Sequence, residues 1–192
     1  DAHTYSKPLC ATFVDLSRAF DRVDWQILME TLQTQFRLPP LEAKMSFLLL
    51  QTSNRIRVDG KLSPEALEPT IGVRQGDKLS PLLFCAYIND LVLDLRNTPG
   101  YHFSRDLFRQ RPLSTLFYAD DFALLASTVN DMTRLLQAVH AWSSRNGIHL
   151  APDKTKWFGI NLPATTALHY PPHSPHAPLL EAVPHFKYLG VH

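Results

Sequence analysis

Apolar positions along the chain fall into short blocks of changing period, and the period names the element expected in each. CATFVDL, Cys10 to Leu16, is a compact apolar run closed by an acid, which reads as a buried strand. Behind Asp24, a side chain suited to capping, Trp25, Leu28, Leu32 and Phe36 recur at helical spacing until Pro39-Pro40 ends the pattern. A second helix is expected over Leu41 to Gln51. NRIRVDGK then reads as a strand closed by the turn signal Asp59-Gly60. Ser80-Pro81, an N-cap followed by proline at the first helical position, predicts one long helix to about Arg96. LSTLFYADDFALLAS predicts strand, tight turn, strand. Met132, Leu135, Leu136, Val139 and Trp142 mark one face of an amphipathic helix, with Gly147 as its stop. Ile148 to Leu150 and Lys156 to Ile160 are expected as two further strands. From Asn161 to Pro184 the composition turns to Pro, His and Ala, which is loop chemistry, and FKYLGV starts a last hairpin. The sum is an α+β chain: an antiparallel sheet with helices packed on one face.

Composition changes this picture little. The chain has 192 residues, 45% of them hydrophobic, enough for a core of one domain or slightly more. A formal charge of +1 neither announces a nucleic-acid partner nor excludes one. Cys10 and Cys85 lie far apart in apolar company and read as buried thiols of a reducing compartment, not as a disulfide. No apolar run reaches membrane-spanning length, so no membrane partner is expected. The start lacks methionine and signal-peptide character, and the chain is expected to be a fragment of something longer.

The acids change it more. Asp15 ends one predicted strand, and Asp120-Asp121 sit in the turn between two others. Alone, an Asp-Asp pair is most often a polar turn. If those strands are neighbours, however, three carboxylates converge and repel unless a cation joins them. Oxygen-only ligation completed by water and phosphate is what Mg²⁺ favours, so metal-dependent phosphoryl transfer becomes a candidate.

Five segments carry a resemblance that sharpens this. FVDLSRAFDRVDW, GVRQGDKLSPLLFCAYINDL, FYADDFALLA, GIHLAPDKTKWFGI and FKYLGV stand in the order and rough spacing of the reverse transcriptase motifs lettered A to E. DLSRAFDRVDW followed by GVRQGD-LSPLLF most resembles the enzymes of non-LTR (LINE-like) retrotransposons, and the resemblance runs from about Leu9 to Val191. It implies a polymerase palm with fingers and thumb largely missing: residues 1–160 as palm with part of the fingers, 161–185 as a Pro/His-rich loop, and 186–192 as the start of a truncated primer-grip hairpin. It implies RNA-directed DNA polymerisation by two-metal phosphoryl transfer, adding dNTPs to a primer 3′-hydroxyl during retrotransposition.

By the same resemblance Asp15, Asp120 and Asp121 are metal-binding and catalytic, Asp120 more strictly than Asp121, with the Leu16 carbonyl as an extra ligand for two Mg²⁺ ions, Mn²⁺ being a substitute. Phe20 matches the ring beneath the incoming sugar, where bulk excludes a 2′-hydroxyl. Without the motif it would read as core. Arg18 matches a position near the triphosphate. Gln75 and Gly76 match the pair lying along the nascent base pair, although Lys78 stands where relatives usually have proline. Asn89-Asp90 match family residues too, and an exposed helical turn explains them equally well. Lys154 matches the lysine thought to protonate departing pyrophosphate, against the plainer account of a solvated loop lysine. Ala151 replaces a common asparagine. Tyr188, Leu189 and Gly190 match the primer grip. His169, His173, His176, His185 and His192 read as loop residues and not as a zinc site.

The implied partners are an RNA template, a DNA primer, dNTPs and further domains of the same polyprotein (endonuclease, fingers, thumb). The implied setting is intracellular, nuclear and cytoplasmic in a eukaryote. The chain alone is expected to extend a primer poorly, because its near-neutral charge offers few phosphate contacts. Two other readings stay open at this point: an inactive RNA-binding scaffold or degenerate copy, and a different nucleotidyltransferase such as an RNA-dependent RNA polymerase. The intact acids argue against the first and Phe20 against the second.

Overall fold

In the computed structural model, which describes residues 2–51, 53–103, 112–174 and 176–188, the first apolar run is strand β1, Leu9–Val14. Its pairing partners come from far downstream. β1 lies between β5, Asp121–Ala126, and β6, Lys156–Ile160, antiparallel to both. β4, Thr115–Tyr118, pairs antiparallel with β5 as the predicted hairpin. The short β7, Glu181–Ala182, extends the sheet beyond β6, giving the order β4-β5-β1-β6-β7. The β6–β7 pair is parallel, an exception at one edge of the expected antiparallel sheet.

Strand alternation splits this sheet into two faces. Cys10, Thr12 and Val14 stand opposite Ala126, Leu124 and Phe122, and all six are buried. Helix α5, Val129–Asn146, packs on them, with the Thr12 hydroxyl 3.3 Å from the Met132 sulfur. Met132, Leu135, Leu136, Val139 and Trp142 are all buried, as their spacing predicts. Thr128 caps α5, its Oγ1 accepting from the Asp131 N–H, and Gly147 ends it at φ +70°, where an L side chain is disfavoured. Helix α4, Asn89–Arg96, packs beside α5 and against β4. The opposite face carries Phe13, stacked between Phe158 at 5.9 Å and Phe186 at 4.2 Å between ring centroids.

These elements belong to one of two units, Asp1–Ser17 with Asn89–His192; the other is Arg18–Ile88. In the second unit α1, Trp25–Thr34, is capped by Asp24, whose Oδ1 accepts from the Gln26 and Ile27 N–H groups at 2.8 and 3.1 Å. The helix stops short of Phe36, which is exposed. α2 covers Pro40–Leu50, and β2, Arg57–Val58, turns at Asp59-Gly60 into β3, Lys61–Leu62. α3, Ser80–Tyr87, ends at Ile88, so the single helix expected to Arg96 is two. Ser80 is inside α3 and buried, and the Leu79 N–H ahead of it donates to the Asp77 carboxylate.

Three further expectations are corrected. Cys85 is exposed, while burial pushes the Cys10 thiol up to about 12. Ile148–Leu150 is not a strand; only Leu150 forms a bridge, to Leu16. The segment 161–184 is not wholly loop, because Leu168, Tyr170 and Leu180 are buried and Glu181–Ala182 is β7. No helix among the described residues is long and apolar enough to cross a membrane.

Candidate active site

Register brings the acids together. β1 pairs with β5 up to Val14 opposite Phe122, so one further step sets Asp15 opposite Asp121. Tyr118 and Asp121 close the β4–β5 hairpin, leaving Ala119 and Asp120 as its two turn residues. Ala119 takes φ +54°, a left-handed conformation that costs an alanine about 1 kcal/mol. A two-residue hairpin turn demands such a conformation at its first position.

The electrostatics follow. Burial raises the Asp121 carboxyl above its ordinary range, and the charges of Asp120 and then Asp15 raise it further. Lys154 Nζ lies 3.9 Å from Asp15 Oδ1, a solvent-screened pair that offsets this charge only partly. Among the described residues no three His, Cys, Asp or Glu side chains form a ready cage for a metal. What the chain offers is an open, oxygen-only cluster of mutually repelling carboxylates. That donor set suits a hard divalent cation that keeps water and phosphate oxygens among its ligands.

Asp15 is held through its backbone. Its N–H donates to the buried Thr155 Oγ1 at 3.3 Å, and its carbonyl accepts from the Ala151 N–H at 2.9 Å. The Ser17 N–H donates to the His149 carbonyl, so the bridge at Leu16 and Leu150 does not use the Leu16 carbonyl. The turn that carries Lys154 is thereby fastened to the strand end that carries Asp15. Thr155 and the Ala151 backbone are the residues that sequence reasoning missed. KTK reads as a polar loop, and only the burial of its threonine betrays a role. Thr155→Val is expected to cost about 1–3 kcal/mol in chemical denaturation, because the Asp15 N–H loses its acceptor. Thr155→Ser, which keeps the hydroxyl, is expected to lose less than half of that. Equal losses in the two variants would show that the methyl group and not the hydroxyl matters.

In the other unit, the Phe20 ring stacks on the buried Phe84 at 4.8 Å, and the Phe20 carbonyl accepts from the Val73 N–H at 2.8 Å. That bond joins Phe20 to the loop bearing Gln75 and Gly76, both exposed. Phe20 itself is half-buried. Gly76 has φ +84° with nothing within 4 Å of where a Cβ would stand, so its need for glycine within the chain is conformational. Gln75 also lines a cavity of about 400 Å³ with Asp21, Asn54, Arg74 and Asp77. Arg18, exposed, takes φ +51°. Lys78 is exposed beside this loop in sequence, and Asn89 and Asp90 are half-buried in the first turn of α4.

Tyr188 lies across the open face of the sheet, its ring 5.4 Å from Phe13. Its hydroxyl stands 3.3 Å from the Asp121 carbonyl and 3.5 Å from that of Leu116. Leu189, Gly190 and His192 lie outside the described residues. His169, His173, His176 and His185 are exposed.

Comparison with known proteins identifies the family and the fold. Residues 2–192 match the family described as Reverse transcriptase (RNA-dependent DNA polymerase). The Pol polyprotein of the type-1 retrotransposable element R2 of Nasonia vitripennis is 28% identical over 155 residues, covering 80% of this chain and 14% of that protein. The probable RNA-directed DNA polymerase from transposon BS of Drosophila melanogaster is 33% identical over 152 residues, covering 76% of this chain and 16% of that protein. The R2 polyprotein of Popillia japonica is 27% identical over 187 residues, covering 92% and 25%. The chain thus spans a quarter or less of the length of these curated relatives. Apo telomerase of Candida tropicalis shares the fold at a TM-score of 0.59 and 13% identity, over 87% of this chain and 34% of that one. The sheet is therefore a polymerase palm, and the chain belongs to the reverse transcriptase family, on the side of the non-LTR, LINE-like retrotransposons.

Proposed function

We propose that this region is the catalytic palm of an RNA-directed DNA polymerase that copies a retrotransposon RNA by adding dNTPs to a primer 3′-hydroxyl. The observation that supports this best is the meeting of Asp15 with the Asp120-Asp121 turn, set by the register of β1 on β5. Asp15, Asp120 and Asp121, with the Leu16 carbonyl, would hold divalent ions, Mg²⁺ or in its place Mn²⁺. When bound, two such ions activate the primer hydroxyl and stabilise the charge on the phosphates.

The chain's own residues do the rest. Lys154, on the turn fastened to Asp15 and 3.9 Å from its carboxylate, would hand a proton to departing pyrophosphate. Phe20 excludes the 2′-hydroxyl, Arg18 approaches the triphosphate, and Gln75 with Gly76 lies along the nascent base pair. Tyr188, Leu189 and Gly190 grip the primer backbone. On this reading residues 1–160 are palm with part of the fingers, 161–185 a connecting segment, and 186–192 the start of the primer-grip hairpin. The partners are an RNA template and a DNA primer, and the polyprotein supplies further domains.

The test is primer extension on a primed RNA template by the polymerase chain carrying this region, with each divalent ion in turn. Template-directed dNTP addition that stops on chelation is expected. Tight RNA binding with no extension in either Mg²⁺ or Mn²⁺ would favour an inactive scaffold instead.

A further inference from the structure

The hydroxyl of Tyr188 has a partner that a residue gripping only the primer does not need. The phenol oxygen stands 3.3 Å from the carbonyl oxygen of Asp121 and 3.5 Å from that of Leu116, so one proton is shared between β5 and β4 beside the turn. The ring is fixed independently, tilted against Phe13 at 5.4 Å, and Phe13 in turn stacks on Phe186 at 4.2 Å. Phe13, on β1, stands two residues before Asp15. A single side chain therefore touches both strand ends that carry the acids.

We infer that Tyr188 is a positioning residue for the Asp120-Asp121 turn: its hydroxyl clamps the hairpin and its ring ties the segment after residue 184 to β1. The turn needs such a clamp because Ala119 is held at φ +54° and the β1–β5 register brings Asp15 to the same end as Asp120 and Asp121. Both features favour opening of the hairpin end. With the clamp in place, the arrival of the segment 186–188 on the open face and the ordering of the acids become one event.

The inference rests on the polymerase reading for its kinetic arm only. Tyr188→Phe keeps the ring and its contact with Phe13 and removes the hydroxyl alone. In the polymerase chain carrying this region, kcat for dNTP addition is expected to fall about 3–10-fold, the worth of one hydrogen bond, with the primer KM within about twofold of the parent. In the metal-free protein, hydrogen–deuterium exchange over residues 116–122 is expected to quicken by a similar factor, while exchange in α5 stays unchanged. The exchange arm reads the clamp whether or not the protein polymerises, so a parent that makes no DNA would sink the polymerase reading and leave the clamp still tested. Unchanged exchange in the hairpin would overturn the inference. So would a raised primer KM at constant kcat, which would make Tyr188 a primer contact and nothing more.

Discussion

Asp120→Asn and Asp15→Asn are each expected to reduce primer extension by about a thousandfold or more, because an amide oxygen cannot replace carboxylate charge toward a divalent cation. The same substitutions are expected to leave folding intact. Asp15 is anchored by its backbone N–H and carbonyl, through Thr155 and Ala151, and an amide side chain disturbs neither bond. Removing Asp120 or Asp15 also removes a charge that raises Asp121, so the metal-free variants should melt no lower than the parent. Addition of Mg²⁺ should raise the melting temperature of the parent more than that of either variant. The linkage has a definite sign. A carboxyl raised above its unfolded value favours the folded state at low pH and loses that contribution as pH rises through the unfolded and then the folded value. The metal-free parent should therefore lose part of its stability just above the ordinary carboxylate range, and the variants less. Extension near the parent rate in either variant would remove the acids from the chemistry.

Phe20→Ala is expected to raise ribonucleotide incorporation relative to deoxyribonucleotide by about tenfold to a hundredfold, since the lost ring opens room for a 2′-hydroxyl. Stability should fall too, by about 2 kcal/mol, because the half-buried ring stacks on Phe84. Phe20→Tyr retains the bulk and should keep both discrimination and stability. Single-nucleotide addition with paired dNTP and rNTP measures the first effect and urea titration the second. A variant that loses stability while discriminating as the parent does would assign Phe20 to packing alone.

Much of this site was legible because its signals are local. Asp24 before a helical stripe, the FYADDFALLA hairpin, and Gly147 after α5 each carry their geometry within a few residues, and each stands as expected. What escaped depends on distant partners. SPLLFCAYINDLVLDLR has no glycine or internal proline near residue 88, so nothing in its period marks the break between α3 and α4. The exposure of Cys85 within that run was hidden for the same reason. A polar, proline-rich composition suggested loop from Asn161 on. Yet the Trp157 indole N–H donates to the Leu180 carbonyl, and β6 recruits β7 as a parallel neighbour, pairings no local pattern encodes. The fastening of Asp15 by Thr155 likewise spans 140 positions.

That order of strands sets the timetable on which the protein can come into being. β1 leaves the ribosome before its partners, so both its edges stay open until β5 and then β6 have been made, and the whole unit Arg18–Ile88 emerges in the interval. A hydrophobic strand waiting with two unpaired edges invites pairing with other chains. Non-local pairing of this kind is slow, since loop closure precedes any gain from contact. Asp15 thus cannot meet Asp120 and Asp121 until β5 has been made, and the other edge of β1 stays open longer still, until β6 follows.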